Sequence, residues 1–307
     1  MKQAQVTSWA DPPKYIQVAD PGAPPSGHVQ LQVLAAGVHQ LVKSRAAGMH
    51  YSASILPHIP GVDGVGRDSD GKLYYFNAMT EQGGSMTEII NVPNQRLVPV
   101  PDGADPLQIA GMVNPVMASW MALAKRTTGL QPGFTALVLG ATGLSGIAAV
   151  DVARAFGAGT VIGVARNAPK MAGLNLDATI ELGSDPVNTD WSPAVDIDVV
   201  LDFLYGPVTL SFLKSFKPTK PVQYVQIGTV VERTIELPGD VLRSKDITIR
   251  GSGPGSWRLK DFAEQVPGIV KAIASGKVRP GKFREVKMAD IESVWTQKGG
   301  DRMVITP

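Results

Sequence analysis

Seven consecutive residues, Gly140-Ala141-Thr142-Gly143-Leu144-Ser145-Gly146, carry the strongest chemical signal in the chain. They follow the apolar run TALVL (135–139) and open the apolar stretch IAAVDVARAFGAG (147–159). A glycine turn lets backbone approach a bulky anion with no side chain in the way. The N-terminus of a helix behind it offers amide donors and a dipole that favours negative charge. Strand, turn and helix in this order suit a diphosphate, and the GxxGxxG spacing is a variant of the GxGxxG dinucleotide fingerprint. A turn whose glycines merely pack helix on strand is the competing reading.

The end of the next strand reports which dinucleotide would fit. TVIGVAR (160–166) closes on Val164-Ala165-Arg166-Asn167, with Lys170 just beyond. An NAD site usually places Asp or Glu there for the ribose hydroxyls, whereas NADP needs cations for its 2′-phosphate. No acid occurs in this stretch, so Arg166 is the expected phosphate ligand, with Asn167 and Lys170 beside it. Its planar guanidinium suits forked contact with phosphate oxygens. A solvated arginine in a turn remains the alternative. Phe203, Gly228-Thr229, Gly251 and Gly253 end later strands on the carboxyl side, where an open α/β sheet binds its ligand. They are expected near the nicotinamide half of NADPH, although Phe203 could equally serve packing.

These residues need two kinds of scaffold. Up to about residue 115 the texture is β-like, with HVQLQVLAAGV (28–38), KLYYFNAM (72–79) and MTEIINVP (86–93) punctuated by Gly, Pro and Asp. Many short strands suggest a compact β-barrel-like domain. From Phe134 the chain alternates strand, Gly-rich turn and apolar helix. FTALVLG (134–140), ATIELG (178–183), DIDVVLDFL (196–204), VQYVQIGT (222–229) and DITIRGSG (246–253) read as strands of a doubly wound parallel sheet. A helix is expected near 261–276, then a short strand, a helix and a last strand. Asn114-Pro115 reads as a stiffened turn at the domain junction, where Asn114 holds the crossover or contacts the cofactor.

With 307 residues, 44% hydrophobic and 18% charged, the chain has the balance of a globular protein with two cores. The charge balance, 29 Lys+Arg against 27 Asp+Glu, shows no basic run for a nucleic-acid backbone. No window approaches ~18 uninterrupted apolar residues, and the first residues lack a secretory pattern. A cytoplasmic protein with a small-molecule substrate, and neither nucleic acid nor membrane as partner, is the expectation.

Cysteine is absent, so there is no thiolate nucleophile and no Cys-ligated zinc. The four histidines, at 28, 39, 50 and 58, invite a metal hypothesis, but their spacings match no helical pair and no carboxylate sits at ligand spacing beside them. No metal is expected. His39, at the end of an apolar strand, reads as a hydrogen-bonded residue of the active-site cleft and a candidate for catalysis.

Several segments together resemble the medium-chain dehydrogenase/reductase (MDR) superfamily, in its zinc-free quinone oxidoreductase-like branch. They include AAGVHQLVKSRAAGMHY (35–51), LPHIPGVDGVG (56–66), GGSMTEIINVP (83–93), NPVMASWMAL (114–123), LQPGFTALVLGATGLSG (130–146), VVLDFLYGP (199–207), VQIGT (225–229) and GSGPG (251–255). The resemblance implies a GroES-like β-barrel catalytic domain over 1–115, completed by 277–307. It also implies a Rossmann NADP-binding domain over 116–276, an active site in the cleft between them, and homodimers paired through the sheet edge near 246–251. Where zinc-dependent members carry Cys and His-Glu ligands, this chain has His39 and Gly61-Val62-Asp63. Without zinc there is no Lewis acid to polarise a carbonyl. Tyr51 is similar in place to a tyrosine that some enone-reducing members hold over the substrate, where a phenol can donate to a carbonyl or enolate. A loop aromatic covering the cleft is its bland counterpart. The resemblance thus implies an NADPH-dependent reductase of quinones, enones or related activated carbonyls. A non-catalytic NADPH-binding redox sensor and an alcohol dehydrogenase-like enzyme with another metal are the rivals.

Overall fold

A computed structural model describes residues 1–80, 83–297 and 299–307. The chain divides into two compact units, Met1–Asn114 with Val266–Gly276 and Pro280–Pro307, and Pro115–Gln265 with Lys277–Arg279. In chain order the strands of the first part are β1 (Lys2–Gln5), β2 (Lys14–Gln17), β3 (His28–Gly37), β4 (Asp63–Arg67), β5 (Leu73–Asn77), β6 (Ile89–Pro93) and β7 (Leu97–Pro99). Then come β8 (Thr135–Leu139), β9 (Thr160–Ala165), β10 (Ala178–Glu181), β11 (Val199–Asp202), β12 (Val222–Gln226) and β13 (Ile247–Gly251), and finally β14 (Phe283–Lys287) and β15 (Arg302–Thr306). The helices are α1 (Gln40–Ala46), α2 (Pro106–Arg126), α3 (Leu144–Ala155), α4 (Ala168–Met171), α5 (Pro207–Ser215), α6 (Gly239–Arg243), α7 (Leu259–Ala274) and α8 (Ile291–Val294).

The first unit is built on a sheet of order β14-β15-β3-β4-β5-β7, with β6 also paired to β3. All its pairs are antiparallel except β14 with β15. Leu31, Val33, Phe76 and Val92 form one apolar cluster, and Val38, Val42, Met86, Ile291 and Ile305 belong to another. The short pair β1–β2 adds a small sheet.

The second unit is a wholly parallel sheet of order β10-β9-β8-β11-β12-β13. Numbered from β8, that is the 3-2-1-4-5-6 order of the Rossmann fold, with its switch point between β8 and β11. Residues 136–139 of β8 and all of β11 are buried, which explains why these strands read as unbroken apolar runs. Leu137, Leu139 and Val200 of these strands join Phe212, Tyr224, Trp191 and Ile162 in the core.

Three segments depart from the sequence reading. Helix α2 begins at Pro106, inside the stretch read as β-like, and carries Asn114 and Pro115 in its interior rather than in a turn. Pro115 removes one intrahelical donor, but the apolar stripe Ile109, Met112, Val113 and Val116, all buried, outweighs that loss. By length and composition α2 could cross a membrane, yet 61% of its apolar window is buried inside the protein, as in a core helix. Val266–Gly276, read as the end of the Rossmann domain, groups with the first unit, and 277–279, read as the start of the segment that completes the barrel domain, groups with the second. Arg279 explains the latter, gripping Asp151 of α3 with Nε–Oδ2 at 2.8 Å and Nη2–Oδ1 at 2.6 Å.

Asp202, at the carboxyl end of β11 and fully buried, organises the turn beside the switch point. Its Oδ1 accepts from the amides of Leu204 (2.8 Å) and Tyr205 (3.0 Å), and its Oδ2 from the hydroxyls of Thr209 and Tyr224 (both 2.6 Å). The bonds hold Tyr205 and Gly206 at positive φ, 58° and 69°. Burial, reinforced by Asp202, raises the Tyr224 phenol well above its usual range, so it stays a donor. Replacing Asp202 by Ala strands four donors, two of them backbone. Asp202→Ala is expected to destabilise by about 3 kcal/mol, a fall of roughly 5–10 °C in the thermal midpoint by calorimetry, with Tyr224→Phe losing less.

Candidate functional site

The carboxyl ends of β8 and β11 lie side by side at the switch point of the parallel sheet, and the glycine turn leaves from the first of them. Gly140 has φ +93°, a conformation disfavoured for any residue with a Cβ. Its amide and that of Ala141 donate to Val164 O of β9, which pins the turn to the neighbouring strand. Gly146 packs so closely under the turn that a Cβ there would lie 2.1 Å from Gly140 O and 2.9 Å from Ala141 Cα. These glycines are required by contact geometry. Gly143 differs, since a Cβ on it would meet only Gly140 O at 3.6 Å.

Gly143 is the N-cap of α3 and supplies no side-chain acceptor to the first turn. The first amides of the helix, at Leu144, Ser145 and Gly146, are therefore left without a capping group. Donors in that state, at the positive end of a twelve-residue helix, fit a diphosphate. The residues present thus fit the anionic half of a dinucleotide. Thr142 and Ser145 are half-buried beside the same turn.

At the end of β9, Arg166 is exposed, and its guanidinium makes no hydrogen bond or ion pair among the described residues. Asn167 is committed locally: its Oδ1 caps α4 by accepting from the Lys170 amide at 3.0 Å. The Lys170 ammonium extends from the same short helix into solvent. Phe203 follows β11 and is buried, with its Cβ 3.6 Å from the ideal Cβ position of Gly140. Gly228 donates to Asp202 O, and a Cβ there would meet Phe203 O at 2.7 Å, so it locks the turn after β12 to the turn after β11. Thr229 is exposed beside it. Gly251 ends β13, where its carbonyl accepts from Arg126 Nε, and the Gly253 amide donates to Ser256 Oγ. The second unit therefore gathers the turns at 140–146, 203–206 and 228–229 at the carboxyl ends of its inner strands, while Gly251 and Gly253 also make local turn bonds.

No family model matches the chain. It is 37% identical, over all of its length and all of the relative's, to a protein of Emericella nidulans named probable NADPH-dependent quinone reductase tdiC. The chain belongs to the quinone oxidoreductase-like branch of the MDR superfamily. It is also 32% identical to the acryloyl-coenzyme A reductase of Metallosphaera sedula, over 69% of this chain and 60% of that protein. Among solved structures, the quinone oxidoreductase of Thermus thermophilus, which was also determined in complex with NADPH, shares this MDR fold. It matches with a TM-score of 0.77 at 23% identity, covering 100% of both chains.

In MDR proteins that use zinc, thiolate and imidazole hold the ion; here cysteine is absent, and no group of three His, Asp or Glu side chains that could hold a metal occurs among the described residues. The places of those ligands carry a different polar set, wholly within the first unit. His39 is the N-cap of α1, but its ring does not cap the helix. It is 6% exposed, and its Nε2 faces Asp63 Oδ1 at 3.6 Å. Asp63 Oδ2 accepts from the Tyr75 hydroxyl at 2.7 Å. Burial, then the Asp63 charge, then that hydrogen bond raise the Tyr75 phenol well above its usual range, so the donor is never lost near neutral pH. Arg302, whose Nη1 donates to Asn114 Oδ1 at 3.3 Å, completes the group; burial lowers its pKa and the Asp63 charge opposes that shift.

Tyr51, the other catalytic candidate, stands on the loop after α1, 84% exposed, with its ring 4.3 Å from that of His50. The loop is anchored by Arg45, almost fully buried, which donates to Ser52 Oγ at 2.8 Å and to Thr80 O. Sequence reasoning missed Asp63, Tyr75 and Arg302 as members of one cluster. The available signal was Asp63 itself, an acid inside the buried glycine-valine run GVDGVG.

The contrast between two glycines gives a direct test of the turn. Gly143→Ala is expected to keep the thermal midpoint of the parent. Gly146→Ala must push the Gly140–Ala141 backbone aside, and should lower the midpoint and weaken NADPH binding at least about tenfold in a fluorescence titration.

Proposed function

We propose that the chain is a zinc-independent, NADPH-dependent reductase of quinones, enones or related activated carbonyl compounds. The observation that carries this reading is the uncapped N-terminus of α3 behind a glycine turn, with an unpartnered Arg166 at the end of the next strand. Amides at 144–146 bind the diphosphate, and Arg166, seconded by Lys170, neutralises the 2′-phosphate. The turns at 203–206 and 228–229, held by Asp202, border the nicotinamide. When bound, NADPH supplies a hydride, so the protein has only to orient an electron-poor carbon and to furnish a proton. Tyr51 and His39 are the side chains of the first unit proposed for that proton. The relatives named for quinone and acryloyl-coenzyme A reduction support this substrate class, since both substrates are electron-poor alkenes conjugated to a carbonyl.

A cytoplasmic homodimer completes the proposal. The edge strand β13 supports pairing of copies, because Ile249 is 40% exposed on it and Leu242 and Val230 are exposed at 45% and 78%.

The cofactor assignment rests on Arg166. A charge-assisted phosphate contact contributes ~1.5–3 kcal/mol, so Arg166→Ala should weaken NADPH binding about 10- to 100-fold and leave NADH binding unchanged in calorimetric titrations. Equal loss for the two nucleotides, or none, would remove the phosphate role.

A further inference from the structure

Four side chains distant in sequence meet in one row of the first unit because of strand register. β15 pairs with β3 through Val304↔Gly37, and the Val38 amide donates to Met303 O, so two residues on, Arg302 lies across from His39. β3 in turn pairs with β4, which opens at Asp63. In the β4–β5 ladder Asp63 is opposite Asn77, which puts Tyr75 on the same face, diagonally across. Along this row His39, Asp63 and Tyr75 are 6%, 4% and 2% exposed.

Two atoms in the row stand out. His39 Nε2 and Asp63 Oδ1 are both buried without a hydrogen-bond partner, and they face one another at 3.6 Å. A buried polar atom left unpaired is costly, and these two are of opposite character, with the Arg302 charge also acting on Asp63. Asp63 cannot turn away, because its second oxygen is held by Tyr75 at 2.7 Å. The remaining ring nitrogen, His39 Nδ1, makes no hydrogen bond among the described residues and is not among the buried unpartnered atoms, which leaves it as the nitrogen available to a substrate. His39 also occupies an N-cap position without capping, where Ser or Asp would stabilise α1 by ~1 kcal/mol.

We propose that His39 is the proton donor to the reduced substrate, that Asp63 is its positioning residue through Nε2–H, and that Tyr75 fixes Asp63. This rests on the reductase reading above and selects among the donors open to it. As hydride adds to the electron-poor carbon, the carbonyl π pair moves to oxygen. The Nδ1–H bond of the imidazolium breaks and an O–H bond forms. The ring is left neutral, with its proton on Nε2 facing the carboxylate, and solvent returns a proton to Nδ1. A carboxylate behind an imidazole fixes its tautomer and favours its charged form, the arrangement acid-base catalysis needs. The charged and titratable groups around the ring are Asp63 from β4, Tyr75 from β5, and Arg302 from β15. Arg302 shares the Asp63 charge.

The test uses the whole protein with two independent readouts. Imidazole 15N spectra of the resting protein, with His39→Gln to assign the signal, should show His39 protonated at Nε2 in its neutral form. Asp63→Asn should shift the proton to Nδ1. In assays with a quinone or enone, kcat of the parent should fall as pH rises through the His39 titration seen in those spectra. His39→Gln should lose that pH dependence and at least tenfold in kcat, with NADPH affinity unchanged. Tyr75→Phe, the milder variant should Asp63→Asn fold poorly, should lower kcat less and shift the His39 titration. A His39→Gln enzyme with parental kcat and pH profile overturns the proposal. So does an Nδ1–H tautomer in the parent. If the parent reduces no quinone or enone while the tautomer is as expected, the reductase reading fails and the Asp63–His39 pairing stands.

Discussion

Everything in the second unit depends on one electrostatic arrangement, a helix whose first amides have no partner of their own. Most helices avoid this with a Ser, Thr, Asp or Asn at the N-cap. α3 begins after Gly143, so its positive end is left open at the carboxyl end of β8. The strand order places that end at the switch point, and the close packing of Gly146 under Gly140 O fixes the turn that leads to it. Asp202 then commits its whole hydrogen-bonding capacity to the adjoining turn and to two core hydroxyls. The result is a hydrogen-bonded set of turns beside the open helix end that is proposed to hold the diphosphate, with Arg166 proposed for the further phosphate.

The first unit shows the opposite arrangement. Where zinc-using MDR proteins set metal ligands, this chain buries a carboxylate between a histidine and a tyrosine, with an arginine close by. Such a group is costly to bury and is tolerated only when its members satisfy one another. Tyr75 satisfies half of Asp63, and His39 faces the other half. On the proposal made above, this group handles a proton, which suits reactions whose electron pair arrives from a cofactor and whose remaining need is a proton.

Much of this was legible in the sequence wherever the information is local. Buried parallel strands such as TALVL and VVLD are continuous apolar runs, and the place of the glycine turn between a strand and a helix follows from neighbours a few residues away. The missing acid after β9 is likewise a one-position signal. α2 was misread because Asn114 and Pro115 look like a break, although burial of Ile109, Met112, Val113 and Val116 carries the helix through them. The meeting of residues 39, 63, 75 and 302 was not legible, since it depends on the pairing of four strands, and periodicity within a strand does not reveal its partner. Asn167 reads as a phosphate neighbour by position, and its Oδ1 in addition caps α4, which position alone does not reveal.

The central claim is that bare amides at the start of α3 grip a diphosphate, and amide hydrogen exchange read by mass spectrometry addresses those atoms directly. With saturating NADPH, peptides covering 140–147 should slow their exchange more strongly than any other part of the second unit, and peptides across 164–170 should follow. Protection elsewhere with 140–147 unchanged would contradict the account.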